Sequence, residues 1–335
     1  MNGGSPPAYR PRIAIDAMGG DGGLAVTAEA ARTFQGRADI MLVGNEAAIR
    51  AALPDAPEHI SIAPAGDQVT DSDSLSDVLR RRPDTSIRRA LTLHAEGRVD
   101  AVVSAGDTAA LMALSRMLLS MIPGIERPAI CKAIQGRRGP FWMLDLGANL
   151  DCSARQLLQF AGMGVTLASS AGGIERPRVA LLNVGTEKNK GPPVLGEAAA
   201  LIESNPELDY VGYIEGSGLF EGRADVVVCD GFAGNIALKS MEGAAKMAGY
   251  MIGERLGSLS ALRKFALALS GSPLLSLRRD LNPQKYNGAS FVGLAGVVIK
   301  SHGAADAQGF AYAIDLAIKE VFAQIPQRLA DQFSY

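Results

Sequence analysis

The chain has 335 residues, 47% of them apolar and 20% charged, with 38 glycines and a formal net charge of -2. That length suffices for two domains or one large α/β unit, and the composition is that of an ordinary soluble globular protein rather than a disordered chain. The near-neutral charge argues against a polyanion-binding protein as a whole, so nucleic acid is not an expected partner.

Residues 1–11, MNGGSPPAYRP, are dominated by Gly, Ser and Pro and read as a flexible leader with nothing able to pack. They hold no apolar segment of the signal-peptide kind. Nowhere does a run of about eighteen apolar residues follow, so neither export nor a membrane span is expected. Cys131, Cys152 and Cys229 are scattered and odd in number, which fits a reducing cytoplasm and gives neither a disulfide framework nor a zinc set.

From residue 12 onward, short apolar runs alternate with helical patterns, the signature of βαβ units in a single three-layer α/β/α domain with a largely parallel sheet. RIAIDAM opens it, followed by a helix at 24–34, the strand IMLVG, a helix near 46–52 and the strand ISIAP. DQVTDSDSLSDVLRRRPDTSIRR then carries an acidic run and a basic one. Asp67, Asp71, Asp73 and Asp77 lack the spacing of a calcium loop, so the segment reads as solvated. Arg80, Arg81, Arg82, Arg88 and Arg89 read as a solvated helix face or as a surface for an acidic partner. Further strands are expected at 101–104, 141–146, 179–184 and 226–229.

Five of these strands run into turns rich in Gly and in Asp, Asn or Glu: IDAMGGDGG, VVSAGDTAAL, LDLGANLD, LLNVGTEKNKG and VCDGFAGN. In a parallel sheet the carboxyl ends of the strands share one edge, so the five turns are expected to converge on one cleft. Small residues there let a ligand approach backbone N–H groups at helix starts, which suits a phosphate or carboxylate. Asn235 is expected to cap or enter the first turn of the helix IALKSMEG, with Lys239 one turn in. Lys190, followed by Gly191, supplies a mobile ammonium for phosphate or a developing oxyanion.

Neither the dinucleotide GxGxxG nor the P-loop GxxxxGK[ST] stands at a suitable place, and no GxSxG elbow occurs. Cys229 ends an apolar strand and reads as an inert buried thiol. His302 follows another apolar run and reads either as a cleft residue or as an ordinary loop histidine.

Taken in order over residues 13–318, IAIDAMGGDGG, VDAVVSAGDTAALMALSRML, RPAI, LDLGANLDC, LLNVGTEKNKG, DVVVCDGFAGNIALKSMEG and GLAGVVIKSHG resemble the bacterial phosphate acyltransferases. Those enzymes convert acyl-[acyl-carrier-protein] and inorganic phosphate to acyl phosphate. The resemblance implies a fold similar to the isocitrate and isopropylmalate dehydrogenases and to phosphate acetyltransferase, a homodimer, and no cofactor or metal. It also implies a cytoplasmic enzyme peripherally attached to the inner face of the membrane, where a glycerol-3-phosphate acyltransferase of phospholipid synthesis takes the product.

By the same resemblance, Lys190 and Asn235 are the catalytic residues, binding phosphate and polarising the carbonyl. Asp16, Gly19, Gly20, Asp21, Ser104, Gly106, Asn149, Glu187, Asp230, Gly231, Gly234 and His302 are expected to shape the pocket. The chain departs from the family's usual pattern at Asp107 and Ala109, at YIEGSG, and at YNGA in place of YGGA. Asp107 is the departure nearest the chemistry. A carboxylate there is expected to point away, to pair with a base, or to bind something other than phosphate.

Residues 255–282 read as an amphipathic helical hairpin. Leu262, Phe265 and Leu269 recur at helical spacing, Leu274 and Leu275 follow GSP, and Arg263, Lys264, Arg278 and Arg279 flank them. Such a tip fits insertion among lipid headgroups, as the resemblance favours, or a dimer or core contact. Rival functions are a phosphate acetyltransferase-like enzyme using acyl-coenzyme A, an NAD-dependent decarboxylating dehydrogenase, and a non-catalytic anion-binding regulator.

Overall fold

The computed structural model describes residues 9–70, 72–257 and 286–334. Its strands are β1 (Arg12–Asp16), β2 (Asp39–Gly44), β3 (Ile60–Pro64), β4 (Ala101–Ser104), β5 (Ala129–Gly136), β6 (Gly139–Leu144), β7 (Arg178–Leu182), β8 (Asp209–Ile214), β9 (Val226–Val228), β10 (Ala289–Val292) and β11 (Val297–Lys300). They form one sheet in the order β3-β2-β1-β4-β11-β10-β5-β6-β9-β7-β8. Most neighbours are parallel, and the three antiparallel pairings are β11 with β10, β10 with β5, and β5 with β6.

Those three reversals correct the expectation that all five glycine-rich turns share one edge. β1 and β4 run one way, whereas β6, β7 and β9, parallel to one another, run the opposite way. The β5–β6 hairpin at Gly136 and Gly139 supplies the odd reversal. A reading built on parallel strands could not anticipate it.

Alternation along the strands divides the core. On one face Ala14, Val102, Val298, Phe291, Ile130, Met143, Val227 and Ala180 form a single apolar layer across the whole sheet. Helices α3 (Leu75–Arg80), α4 (Ser86–Ala95), α5 (Thr108–Leu119) and α8 (Gly231–Gly257) pack on this face. The other face carries two separate cores. Ile13, Ile15, Val103 and Ile299 meet α1 (Gly23–Arg32) and α9 (Ala307–Phe322), while Leu144, Val226 and Val228 meet α6 (Ala154–Ser170), α7 (Pro193–Glu203) and α10 (Ile325–Phe333). Each fully buried Ile, Leu or Phe in these layers is worth roughly 1.5–3 kcal/mol. α2 (Glu46–Ala52) closes the outer end, its Asn45 cap accepting a hydrogen bond from the Ala48 N–H at 2.9 Å.

Two flanking segments are tied down by local contacts. Of the supposed leader, residues 1–8 lie outside the described residues; Pro11 is buried, and the exposed Tyr9 and Arg10 rest against the domain. The Tyr9 ring meets Phe322 edge-on at 6.1 Å, Arg10 pairs with Asp39 at 3.1 Å, and the Pro11 carbonyl accepts the Asp39 N–H. The acidic and basic runs of 67–89 largely neutralise each other. Arg82 pairs with Asp67 and Asp73, Arg81 pairs with Asp77, and Arg88 donates to the Val78 and Leu79 carbonyls. Asp71 and the proposed hairpin tip, including Leu262, Phe265, Leu269, Leu274 and Leu275, lie outside the described residues. Among those described, no helix is long and apolar enough to cross a membrane.

Candidate active site

A groove opens on the continuous-core face, between the N-terminal ends of α5 and α8 and above the short strands β10 and β5. Its centre is a cavity of about 250 Å³ lined by Thr108 of α5, Asn235, Lys239 and Glu242 of α8, Lys132 of β5, and Lys300 and His302 at the end of β11. Thr108, Ile130, Leu146 and Asn235 also line a larger cavity of about 670 Å³, with Gly147 to Asn149 on one wall and Arg116 and Arg127 further out. Loops from both halves of the sheet therefore meet, although their strands run in opposite directions.

The wall from β9 to α8 is built by close approach. α8 begins at Gly231, and Asp230 caps it by accepting the Ala233 N–H at 2.7 Å. Asn235, expected to cap the helix or to enter its first turn, sits in the helix one turn in and is exposed to the groove. A side chain on Gly234 would place its Cβ 1.9 Å from the Asp145 carbonyl oxygen and 2.8 Å from Cys229 Sγ. One on Gly231 would meet the Asn149 oxygen at 2.5 Å. Only glycine lets the helix start lie against the β6 turn.

That turn is organised by Asp145, a residue within LDLGANLD that composition did not single out. Its buried carboxylate accepts hydrogen bonds from the backbone N–H groups of Ile130, Gly147, Ala148 and Asn149 and from the Asn149 side chain, at 2.7–3.2 Å. Burial pushes its carboxyl up, and these donors oppose the shift. Asn149 also donates to the Pro128 carbonyl at 2.7 Å, so it braces the wall as well as lining the larger cavity. Cys229 is buried, its thiol directed at the Leu144 and Asp145 carbonyls and pushed well up by burial, which makes it packing rather than a nucleophile.

The opposite wall rests on Asp16. This fully buried carboxylate accepts the Ser86 and Ser104 hydroxyls at 2.6 and 2.7 Å, and burial pushes it up. Asp16 and Ser104 thus lie beneath the site and line neither cavity. Gly19 and Gly106 pack against the Asp16 carboxylate, and Gly20 packs against Ala105. The Asp21 N–H donates to the Gly303 carbonyl at 2.9 Å, tying the β1 turn to the β11 turn. Asp107 caps α5, accepting the Ala110 N–H at 2.7 Å, and its charge favours the ammonium of Lys300.

The electrostatics are those of an anion site. Lys239 and Lys132 both approach Glu242, at 3.0 and 3.8 Å. Although burial pushes Glu242 up, the hydrogen bond from Lys239 and the nearby charge of Lys132 hold it below the usual carboxylate range. Burial lowers Lys132, and it lowers Lys300 to about 8 against the raising influence of Asp107, Asp16 and Asp21. Lys300 donates to the Ala105 carbonyl at 3.2 Å and also to that of Ser301. Burial lowers His302 as well, and its Nδ1 accepts the Ala304 N–H at 3.1 Å, which leaves the proton of the neutral ring on Nε2. Asn287, the departure in YNGA, anchors this corner by donating to Ser301 Oγ and the Gly309 carbonyl and accepting the His302 N–H.

Lys132, Glu242 and Lys300 were missed in the sequence. The available signals were a lysine ending the apolar run VVIK and Lys132 sharing a strand face with Ile130 and Ile134. Lys190 and Glu187 are placed differently. Both are exposed in the turn after β7, which lines neither cavity. β7 is hydrogen-bonded to β9, so their turn neighbours the wall, and among the described residues Lys190 has no ion-pair partner.

The α/β fold, with its large and mostly parallel sheet, is shared with solved phosphotransacetylases and dehydrogenases. A phosphotransacetylase from Streptococcus pyogenes superposes with a TM-score of 0.61 at 18% identity, covering 94% of this chain and 95% of that one. A 4-hydroxythreonine-4-phosphate dehydrogenase from Klebsiella pneumoniae gives 0.54 at 16% identity, over 94% and 99%. The family model described as fatty acid synthesis protein matches residues 11–328. Phosphate acyltransferases of Alcanivorax borkumensis and Pseudomonas aeruginosa are 46% and 48% identical over 95% of this chain and 96% of their own length. The chain belongs to this family, that of the phosphate acyltransferases.

Proposed function

We propose that the groove transfers a long-chain fatty acyl group from acyl-[acyl-carrier-protein] to inorganic phosphate. The observation that carries the reading is the central cavity, where Asn235 stands among Lys132, Lys239 and Lys300 with one carboxylate, Glu242, set between two of them. Phosphate is a competent nucleophile near neutral pH, and a thioester is an activated donor. The enzyme therefore has to align the two and stabilise the oxyanion. A phosphate oxygen attacks the thioester carbon, the C–S bond breaks, and the thiolate leaves with its electron pair. Lys300 and Lys239 hold the phosphate, the Asn235 amide donates to the developing oxyanion, the Nε2–H of His302 donates a hydrogen bond to the departing sulfur, and the proton that hydrogenphosphate loses on becoming acyl phosphate ends on the thiol.

Lys190 belongs to the proposal through family resemblance. From the neighbouring turn, whose residues line neither cavity, its ammonium acts on the ligand through its field. We place the fold with the isocitrate and isopropylmalate dehydrogenases. We assign the working enzyme to a homodimer on the inner membrane surface, delivering acyl phosphate to a glycerol-3-phosphate acyltransferase. The test is incubation with long-chain acyl-carrier protein and phosphate, with acyl phosphate trapped by hydroxylamine. Acyl hydroxamate that depends on phosphate is expected. None from any donor would overturn the reading, and a preference for acyl-coenzyme A would replace the carrier protein as donor.

A further inference from the structure

A third cavity adjoins the central one and has a different character. It measures about 580 Å³ and shares Lys132, Leu238 and Glu242 with the central cavity. Beyond that boundary its lining is mostly apolar, with Ile134 on β5, Phe220 in the 3-10 helix Gly216–Glu221, and Met241, Ala245 and Ala248 along α8, the polar members being Gln135, Ser240 and Tyr286. The small alanines keep the space open. The Lys132–Glu242 pair, 3.8 Å apart and each side chain 15% exposed, marks the line between the charged and apolar spaces.

Two adjoining cavities, one cationic and one apolar, complement a ligand with an anionic or carbonyl head and a hydrocarbon tail. An apolar space of this kind gives water few partners and rewards the burial of methylenes. The larger cavity on the other side is a poorer match for a tail, because Asp107, Asn149, Arg116 and Arg127 line it. Resting on the acyl transfer proposed above, we infer that the cavity along α8 holds the acyl chain, which passes the Lys132–Glu242 pair so that the carbonyl lies in the central cavity on the side of Asn235. Ala245 and Ala248 then set the length of chain accepted.

Alkylphosphonates, stable mimics of an acyl phosphate, test this without turnover. With chains of about two to about twelve carbons, wild-type affinity is expected to rise up to roughly fourfold per added methylene and then level off. In A245F, and independently in A248F should the first variant fold poorly, the rise is expected to stop several carbons earlier. A113F, which obstructs the larger cavity instead, is expected to keep the wild-type slope. A flat wild-type series, an unchanged slope in both α8 variants, or shortening in A113F alone would overturn the assignment. These outcomes are separable from failure of the acyl-transfer reading, which shows as absent acyl hydroxamate whatever the binding slope.

Discussion

The turns after β9 and β7 leave adjacent strands of one sheet with similar ingredients, DGFAGN and GTEKNKG, yet they end in different roles. Both need a glycine. In the β9 turn, Gly234 presses against the backbone of Asp145, so the constraint locks one element onto another. In the β7 turn, Gly191 lies at φ +82 with its would-be Cβ 2.1 Å from the Asn183 side chain, which itself donates to the Lys190 carbonyl. That turn is closed on its own residues. Composition makes a turn able to bind an anion, but the element it is locked against decides where it faces.

The largest expected effect breaks the lock itself. Gly234→Ala drives a methyl into the Asp145 carbonyl and Cys229, so α8 must shift or the β6 turn must open. Overpacking against backbone is expected to cost about 3 kcal/mol or more. Thermal melting and hydroxamate trapping would both register it. A variant with wild-type melting and turnover would mean that the close approach is not a property of the working enzyme.

Next comes the chemistry on the locked wall. Asn235→Ala is expected to stay folded, because the side chain is exposed to the groove, and to lose about 100-fold in kcat/KM, the cost of one oxyanion donor. An equal fall in kcat marks a transition-state contact, whereas a rise in KM alone would make Asn235 a ground-state binder.

Lys300 adds a pH signature. Burial lowers its ammonium to about 8, so it is charged below that value and loses its proton as pH rises through it. KM for phosphate should therefore climb above about pH 8, by up to roughly tenfold per pH unit if the ammonium is required. Lys300→Arg, whose guanidinium stays charged, should remove that inflection, and Lys300→Met should raise KM at all pH values. An inflection that survives in the arginine variant would belong to another group.

Much of this architecture was legible because it is periodic. The strands RIAID, IMLVG and VVV and the glycine-rich turns follow from alternation and from the steric demands of a tight approach. Strand direction was not legible, because it turns on two short antiparallel elements, the β5–β6 hairpin and β10, whose sequences GPFWML and ASFV carry no sign of polarity. The buried lysines escaped for a related reason. Lys132 and Lys300 are the only charged residues of their strands, and they become a pair only when β10 sets them on one face of the sheet. Asp107 shows the converse. As a residue letter it conflicts with an anion site, and as a helix cap whose charge favours the Lys300 ammonium it does not.

The smallest expected effect is the sharpest comparison of the two turns. Lys190→Ala removes an exposed ammonium whose turn lines neither cavity, so within a single chain it acts only through a screened field. A loss of no more than about tenfold, shrinking as ionic strength rises, is the expected outcome for such a charge. A loss matching that of Asn235→Ala and insensitive to salt would mean instead that Lys190 touches the ligand directly. The β7 turn would then have to close over the groove when substrate is bound, and the two turns would form one site. Measuring both variants across a salt series, with phosphate KM and kcat separated, decides between a distant charge and a direct contact.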